Sequence, residues 1–198
     1  MIFASNNKGK IAEIKAILKD YEIVSLKEAG VDIDVEEDKD SFYGNAQKKA
    51  VEIYNITKEP VIADDSGLCI TAFDNWPGVM THRFLGDDAT DRERNEAILD
   101  KMKNLTGNER NAKVVCCLVY FDGGNELVAY GLIRGKISVE VRGKNGFGFD
   151  EIFEIKSGKT LAEVTEDEKN NLSARALAAE NLNKMLSKIK MLSKIMDS

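Results

Sequence analysis

The chain has 198 residues, enough for one domain, or one domain with two lobes, around a substantial core. Its net charge of −6 argues against a general nucleic-acid binder, because phosphate-backbone affinity needs clustered Lys and Arg; an anionic small substrate stays open if local positive charge or a metal ion meets it. Cys69, Cys116 and Cys117 form no CxxC pair and His82 is the sole histidine, which speaks against a zinc site.

Residues 2–4 read as a short buried strand, followed by SNNKGK at 5–10. Ile11, Ile14, Ala16, Ile17 and Leu18 set an amphipathic helix over 11–18. A strand is expected at 22–25, an acidic loop (DIDVEEDKDS) at 32–41, and a helix at 42–54 with Ser41 as its N-cap. Strands at 61–63 and 68–72 flank DDSG, and NWPG at 75–78 reads as a turn. A helix follows at 91–103, capped by Thr90 or Asp91. Strands at 114–121 and 127–133 join through DGGN, and another is expected at 137–141. KNGFGFD at 144–150 is Gly-rich and aromatic, and 152–155 is a short strand. From Ser173 the chain reads as helix, with Leu177, Leu182, Met185, Leu186, Ile189, Leu192 and Ile195 at helical spacings. MLSKI occurs twice there, at 185–189 and 191–195, too short for a structural repeat and read as a helix tail. Strands and helices mix throughout, so the fold class is α/β with a mixed sheet.

The cysteines lie in apolar runs and read as buried free thiols of a reducing cytoplasm. MIFASNNKGK is no signal peptide, and no apolar run approaches the roughly 20 residues of a membrane helix.

Four stretches carry chemistry. SNNKGK lies between a strand and a helix; Ser5, Asn6 and Asn7 can cap the helix, its positive end favours an anion, and Lys8 and Lys10 add charge. An ordinary capped helix start explains the same residues. VIADDSGL at 61–68 runs an apolar strand into two carboxylates. Neighbours in a strand point to opposite faces, so either one aspartate is structural or the strand ends there and a turn re-aims both. Asp64 or Asp65 with Glu36 or Glu37 would suffice for magnesium, which takes hard oxygens and often only one or two carboxylates. A spare carboxylate would then deprotonate water. In NGFGFD at 145–150, two aromatics around a glycine offer flat faces for a purine, or core aromatics at a bend. In EDEKNNLSAR at 166–175, Lys169 and Arg175 are donors to a base carbonyl or phosphate, or a solvated helix entry.

Together these segments resemble the inosine/xanthosine triphosphate pyrophosphatase family. SNNKGK, SFYGNAQKKA (41–50), VIADDSGL, PGVMTHRF (77–84), GFGFD (146–150) and LAEVTEDEKNNLSAR (161–175) occur in the family's order over nearly the whole chain. The resemblance implies one elongated α/β domain over 1–198, with a long curved mixed sheet, flanking helices and two lobes around a central cleft. It also implies a homodimer, magnesium, and hydrolysis of ITP, dITP or XTP between the α and β phosphates. Carried over by position, Ser5, Asn6, Asn7, Lys8, Gly9 and Lys10 hold the triphosphate, and Lys49, in the pattern Asn45…Lys49, contacts phosphate. Glu37 binds the metal. Asp65 is the general base or metal-side aspartate, with Asp64 beside it and Ser66 at the substrate. Phe147, Gly148, Phe149 and Asp150 line the base pocket, completed by Lys169 and Arg175. The family usually reads Ser-His-Arg where this chain has Ser173-Ala174-Arg175, and His82 stands where the family more often has a small residue. Either His82 replaces the imidazole absent at Ala174, or it is a surface histidine.

Selection would follow from donor direction: inosine and xanthosine carry a 6-carbonyl that accepts from Arg175 or Lys169, whereas adenine presents an amine. Two rivals stand beside this expectation. A non-catalytic purine nucleotide sensor would keep the phosphate cradle and the aromatics without needing Glu37 or Asp65. An aspartyl-phosphate phosphatase is suggested by Asp64-Asp65, but these adjacent aspartates are not the Asp-x-Asp with a downstream Thr or Ser that such enzymes usually carry.

Overall fold

The computed structural model describes residues 1–86 and 88–196, and the side chains of 192–194 and 196, including the expected apolar Leu192, lie outside the described residues. The chain forms two compact units, one from Met1–Asp65, Cys116–Gly131 and the chain from Arg175, the other from Ser66–Val115 and Leu132–Ala174. Among the described residues, seven strands form a mixed sheet in the hydrogen-bonded order β2 (Val24–Ser25), β1 (Ile2–Phe3), β3 (Val61–Ile70), β5 (Asn111–Phe121), β6 (Glu126–Ile137), β7 (Phe153–Glu154), with β4 (Trp76–Pro77) against β3.

In the first unit, β1 (Ile2–Phe3) lies parallel to β2 (Val24–Ser25) and to β3 (Val61–Ile70), with Ile2 opposite both Val24 and Val61. α1 (Lys8–Ile17) starts three residues earlier than its apolar spacing predicts, because the Asn7 carboxamide accepts the Lys10 amide and caps it there. Ser41 caps α2 (Phe42–Thr57) as expected, accepting the Gly44 N–H at 3.1 Å. Ala46, Ala50 and Ile53 form the buried face of α2 at helical spacing. They pack in one cluster with Ile2, Val61, Ala63, Cys117 and Val119. Residues 32–39 carry no helix or strand, as their acidity predicts.

Arg175, near the start of α5 (Ala174–Met196), ties that helix to α1 and β3. Its Nη1 donates to Glu13 Oε2 at 2.6 Å and its Nη2 to Asp64 Oδ2 at 3.0 Å. All three side chains are buried, so each charge depends on the others for the interactions that water would otherwise supply.

In the second unit the far end of β3 turns back on itself. Asp74 and Asn75 take positive φ (51° and 67°), which their short polar side chains tolerate. Trp76–Pro77 then returns as β4, antiparallel to Cys69 and Ile70. The NWPG stretch is therefore a turn only in its first half. Trp76 meets Phe84 edge-on at 4.9 Å and Phe73 at 6.1 Å, with the Lys101 ammonium over Phe73 and Trp76. α3 (Asp91–Lys101) opens on a capping box in which Thr90 Oγ1 accepts the Glu93 N–H and Glu93 accepts the Thr90 N–H.

β5 (Asn111–Phe121) and β6 (Glu126–Ile137) join through 122–125, as expected, but β6 runs longer than its apolar stretch. No strand forms at 138–141. The buried Arg110 guanidinium donates to the carbonyls of Met102 and Ile137 at 2.7 and 2.8 Å and also to that of Ser138, while Ser138 Oγ turns to the Glu140 carbonyl. Groups that a further strand would need are thereby taken. β7 (Phe153–Glu154) pairs antiparallel with Lys136 and Ile137. α4 (Glu166–Leu172) was not legible in the apolar pattern, though Thr165 and Glu168 form a capping box that marks its start.

Replacing Arg175 with Met should cost about 3–5 kcal/mol of unfolding free energy, because Asp64 and Glu13 stay buried without their partner. Urea denaturation followed by circular dichroism measures this; a loss below about 1 kcal/mol would place the guanidinium in a surface-like role.

Candidate functional site

β3 does not end at the aspartates. It runs unbroken through Val61–Ile70, and every residue in it is buried. The alternation of the strand then sends Asp64 and Asp65 to opposite faces, and the two carboxylates have different partners. Asp64 is taken by cations: Lys10 Nζ lies 3.0 Å from Oδ2, and Arg175 donates to the same oxygen. Burial alone would push its carboxyl up, but Lys10, Arg175 and Lys49 together hold it well below the usual carboxylate range. Asp65 accepts from Asn45 Nδ2 at 2.8 Å. Burial, and then the charge of Glu37, push its carboxyl up to about 6, against the pull of Lys49 and the Asn45 hydrogen bond.

Lys49 links these groups. Its ammonium donates to Glu37 Oε1 at 2.7 Å and to the Asp64 backbone carbonyl. Burial disfavours its charge, yet Asp64, Glu37 and Asp65 outweigh that and raise its pKa. Asn45 and Lys49 stand four residues apart on one face of α2, which is why one helix serves both Asp65 and Glu37. The SNNKGK segment leads into α1: Ser5 Oγ accepts the Asn7 N–H, Asn6 Oδ1 accepts the Lys27 N–H, and Lys8, Gly9 and Lys10 form the first turn. The first unit thus gathers Lys10, Glu37, Lys49, Asp64, Asp65 and Arg175.

Arg175 stands on Asp64 and Glu13, a position that ties the guanidinium to two carboxylates. Ala174 is buried at the start of α5, and Ser66 is buried next to Asp65 along β3. Among the described residues, no three His, Cys, Asp or Glu side chains converge into a metal cage.

In the second unit, Asp150 organises the Gly-rich segment. Its Oδ2 accepts the Phe147 N–H at 2.8 Å and the Lys169 ammonium at 2.6 Å. The same ammonium stands 4.2 Å from the centre of the Phe147 ring. Gly146 has φ +80°, and a Cβ there would come within 2.2 Å of Asp150 Oδ2, so only glycine permits the turn that closes onto Asp150. Phe147, Gly148, Phe149 and Asp150 stand together with Lys169, the grouping that the family resemblance implied.

One group in these clusters was missed from sequence, and a second was seen without its partner. Glu13 is a buried counter-charge to Arg175, and the only signal was its place beside Ile14 on the inward side of α1. Asn45 was visible as part of a pattern, but its bond to Asp65 depends on the packing of α2 against β3, which local periodicity does not encode.

The Ham1 family model matches residues 1–185. The chain is 44% identical to the dITP/XTP pyrophosphatase of Clostridium perfringens over 191 residues, covering 91% of this chain and 94% of that protein. It is 39% identical to the dITP/XTP pyrophosphatase of Bacillus subtilis, covering 93% and 96%. The solved HAM1 protein from Coxiella burnetii superposes with a TM-score of 0.85 at 37% identity, covering 94% of this chain and 98% of that one. The Staphylococcus aureus Ham1 protein follows at 0.84 and 34%, covering 94% and 97%. A match of this extent, on a chain whose fold is shared with those solved proteins, makes this protein a member of the Ham1 family.

Proposed function

We propose that the protein hydrolyses deaminated purine nucleoside triphosphates (ITP, dITP and XTP) to the nucleoside monophosphate and pyrophosphate, and so clears them from the nucleotide pool. The names of the relatives support this reading. The observation in the chain that carries it is the division of labour on β3: Asp64 is committed to Lys10 and Arg175, while Asp65 stands on Asn45 within the field of Glu37 and Lys49.

In this reading Asp65 accepts the proton of the attacking water, and Asn45 holds its carboxylate in position. The water oxygen bonds to the α phosphorus as the bond to the bridging oxygen breaks, and pyrophosphate departs with that oxygen. Lys10, Lys49 and the N-terminal turn of α1 (Ser5 to Gly9 leading into it) neutralise the phosphates of the substrate. Ser66 lies at the substrate.

Magnesium fits the donors present. Glu37 and Asp65 are hard oxygen ligands within one another's field, and this ion commonly takes one or two carboxylates and fills its remaining positions with phosphate and water. Bound there, it would supply charge neutralisation at the phosphates. Asp64 is held by two cations, Lys10 and Arg175, against the one that Lys49 brings to Glu37, so Glu37 and Asp65 are the ligands assigned here.

Phe147, Gly148, Phe149, Asp150 and Lys169 are assigned to the purine base, with Lys169 as donor to the 6-carbonyl. The anchoring of Arg175 on Asp64 and Glu13 assigns it to support of the aspartate rather than to base reading, and Ala174 brings no polar group to the base. We carry a homodimer and a cytoplasmic location as parts of the same reading. The buried free thiols of Cys116 and Cys117, pushed up to about 12 and about 11 by burial, are compatible with a reducing compartment.

A panel of nucleoside triphosphates with product identification is the first test. ITP, dITP and XTP should yield pyrophosphate much faster than ATP or GTP; release of orthophosphate, or tight binding without turnover, would overturn the reading. Asp65→Asn should lower kcat by about 10²–10⁴-fold while ITP binding measured calorimetrically survives. Near-normal turnover in that variant would remove Asp65 from the chemistry. Chelation should abolish pyrophosphate release and added magnesium restore it, and Glu37→Gln should raise the magnesium concentration for half-activity; full activity in chelator would exclude the metal assignment.

A further inference from the structure

The Gly-rich segment is held by α3 as well as by Asp150. Asp91 Oδ2 accepts the Gly148 N–H at 2.7 Å, and Asn95 Nδ2 donates to the Gly148 carbonyl at 2.9 Å. Asp91 and Asn95 are one helical turn apart, so one face of α3 takes both polar groups of a single residue. Gly148 has φ +62°, a conformation that side chains rarely adopt, and His82 Cε1 lies 4.0 Å from where a Cβ would stand. The preceding amide, that of Phe147, is fixed by Asp150. Two consecutive amides, those of Phe147 and Gly148, are thus pinned by carboxylates from different segments. Asn95 is only 2% exposed, so its carboxamide is shielded from water and its bond to Gly148 is not readily replaced by solvent.

We infer that Asp91 and Asn95 are positioning residues for purine selection: by clamping Gly148 they set the placement of the Phe147 ring and of the Lys169 ammonium that lies over it. This rests on the assignment of Phe147 and Lys169 to the base. Loosening the clamp lets the ring and the donor drift. The cost then falls on recognition of the base, whereas Asp65, Glu37 and Lys49 belong to the first unit and keep their own bonds to Asn45 and to one another. The conservative Asp91→Asn retains an acceptor oxygen for the Gly148 N–H, and Asp91→Ala does not.

The test is steady-state kinetics on ITP and ATP for the full chain with magnesium. Asn95→Ala and Asp91→Ala should each raise KM for ITP about tenfold, hold kcat within about twofold, and cut the ITP-to-ATP ratio of kcat/KM about tenfold. Asp91→Asn should stay near the wild-type ratio. A folded Asn95→Ala or Asp91→Ala with unchanged KM and unchanged ratio overturns the inference, and so does an equal fall of kcat on both nucleotides, which is what a merely structural role would give. If the buried Asn95→Ala does not fold, Asp91→Ala at the more exposed start of α3 decides. Wild-type protein that shows no preference for ITP would fail the base assignment itself, a separate result read before any variant is made, and the clamp falls with it.

Discussion

A carboxylate placed in the middle of a fully buried strand must be met by protein, because burial strips away most of the water that would otherwise solvate it. β3 places two side by side, and the alternation of a strand forbids one set of partners from serving both. The first unit is arranged around that constraint. Lys10 from α1 and Arg175 from α5 converge on Asp64, and Arg175 in turn needs Glu13. Asn45 from α2 meets Asp65. Two helices are therefore bound to one strand by charge, and a third by the hydrogen bond of a neutral amide.

The two aspartates end up in opposite electrostatic states. Asp64, surrounded by cations, holds its negative charge firmly. Asp65 receives a neutral amide and a neighbouring glutamate, and burial together with that glutamate pushes its carboxyl up to about 6. A chain that needs both a rigid anchor and a group able to exchange a proton can obtain them from adjacent residues, provided the strand does not stop between them. Lys49 belongs to both states, since it touches the Asp64 carbonyl and the Glu37 carboxylate.

Much of this was legible in the residues. The N-caps at Ser41 and Thr90, the acidic loop and the hairpin strands joined through 122–125 follow from local rules, and the structure has them. Reading DDSG as a break between two strands followed the rule that charge belongs in loops, and it failed because Lys10 and Arg175 come from 54 and 111 residues away in the chain. The strand expected at 137–141 failed for a related reason, since Arg110 reaches across 27 residues to take the Ile137 carbonyl. The bond of Arg175 to Glu13 was equally out of reach of local pattern, because Glu13 lies 162 residues earlier. Local pattern tells which side chains carry charge; only the assembled chain tells which opposite charge they meet.

Trp76 is the one tryptophan in the chain, and it sits on β4, edge-on to Phe84 and beneath the Lys101 ammonium. Its indole emission therefore reports on the second unit alone, with no competing signal from the segments that hold Asp64 and Asp65. Intrinsic fluorescence and far-ultraviolet dichroism, recorded on the same sample, would follow different parts of this molecule, and a gap between their transitions would be a direct measure of how independently the two units melt.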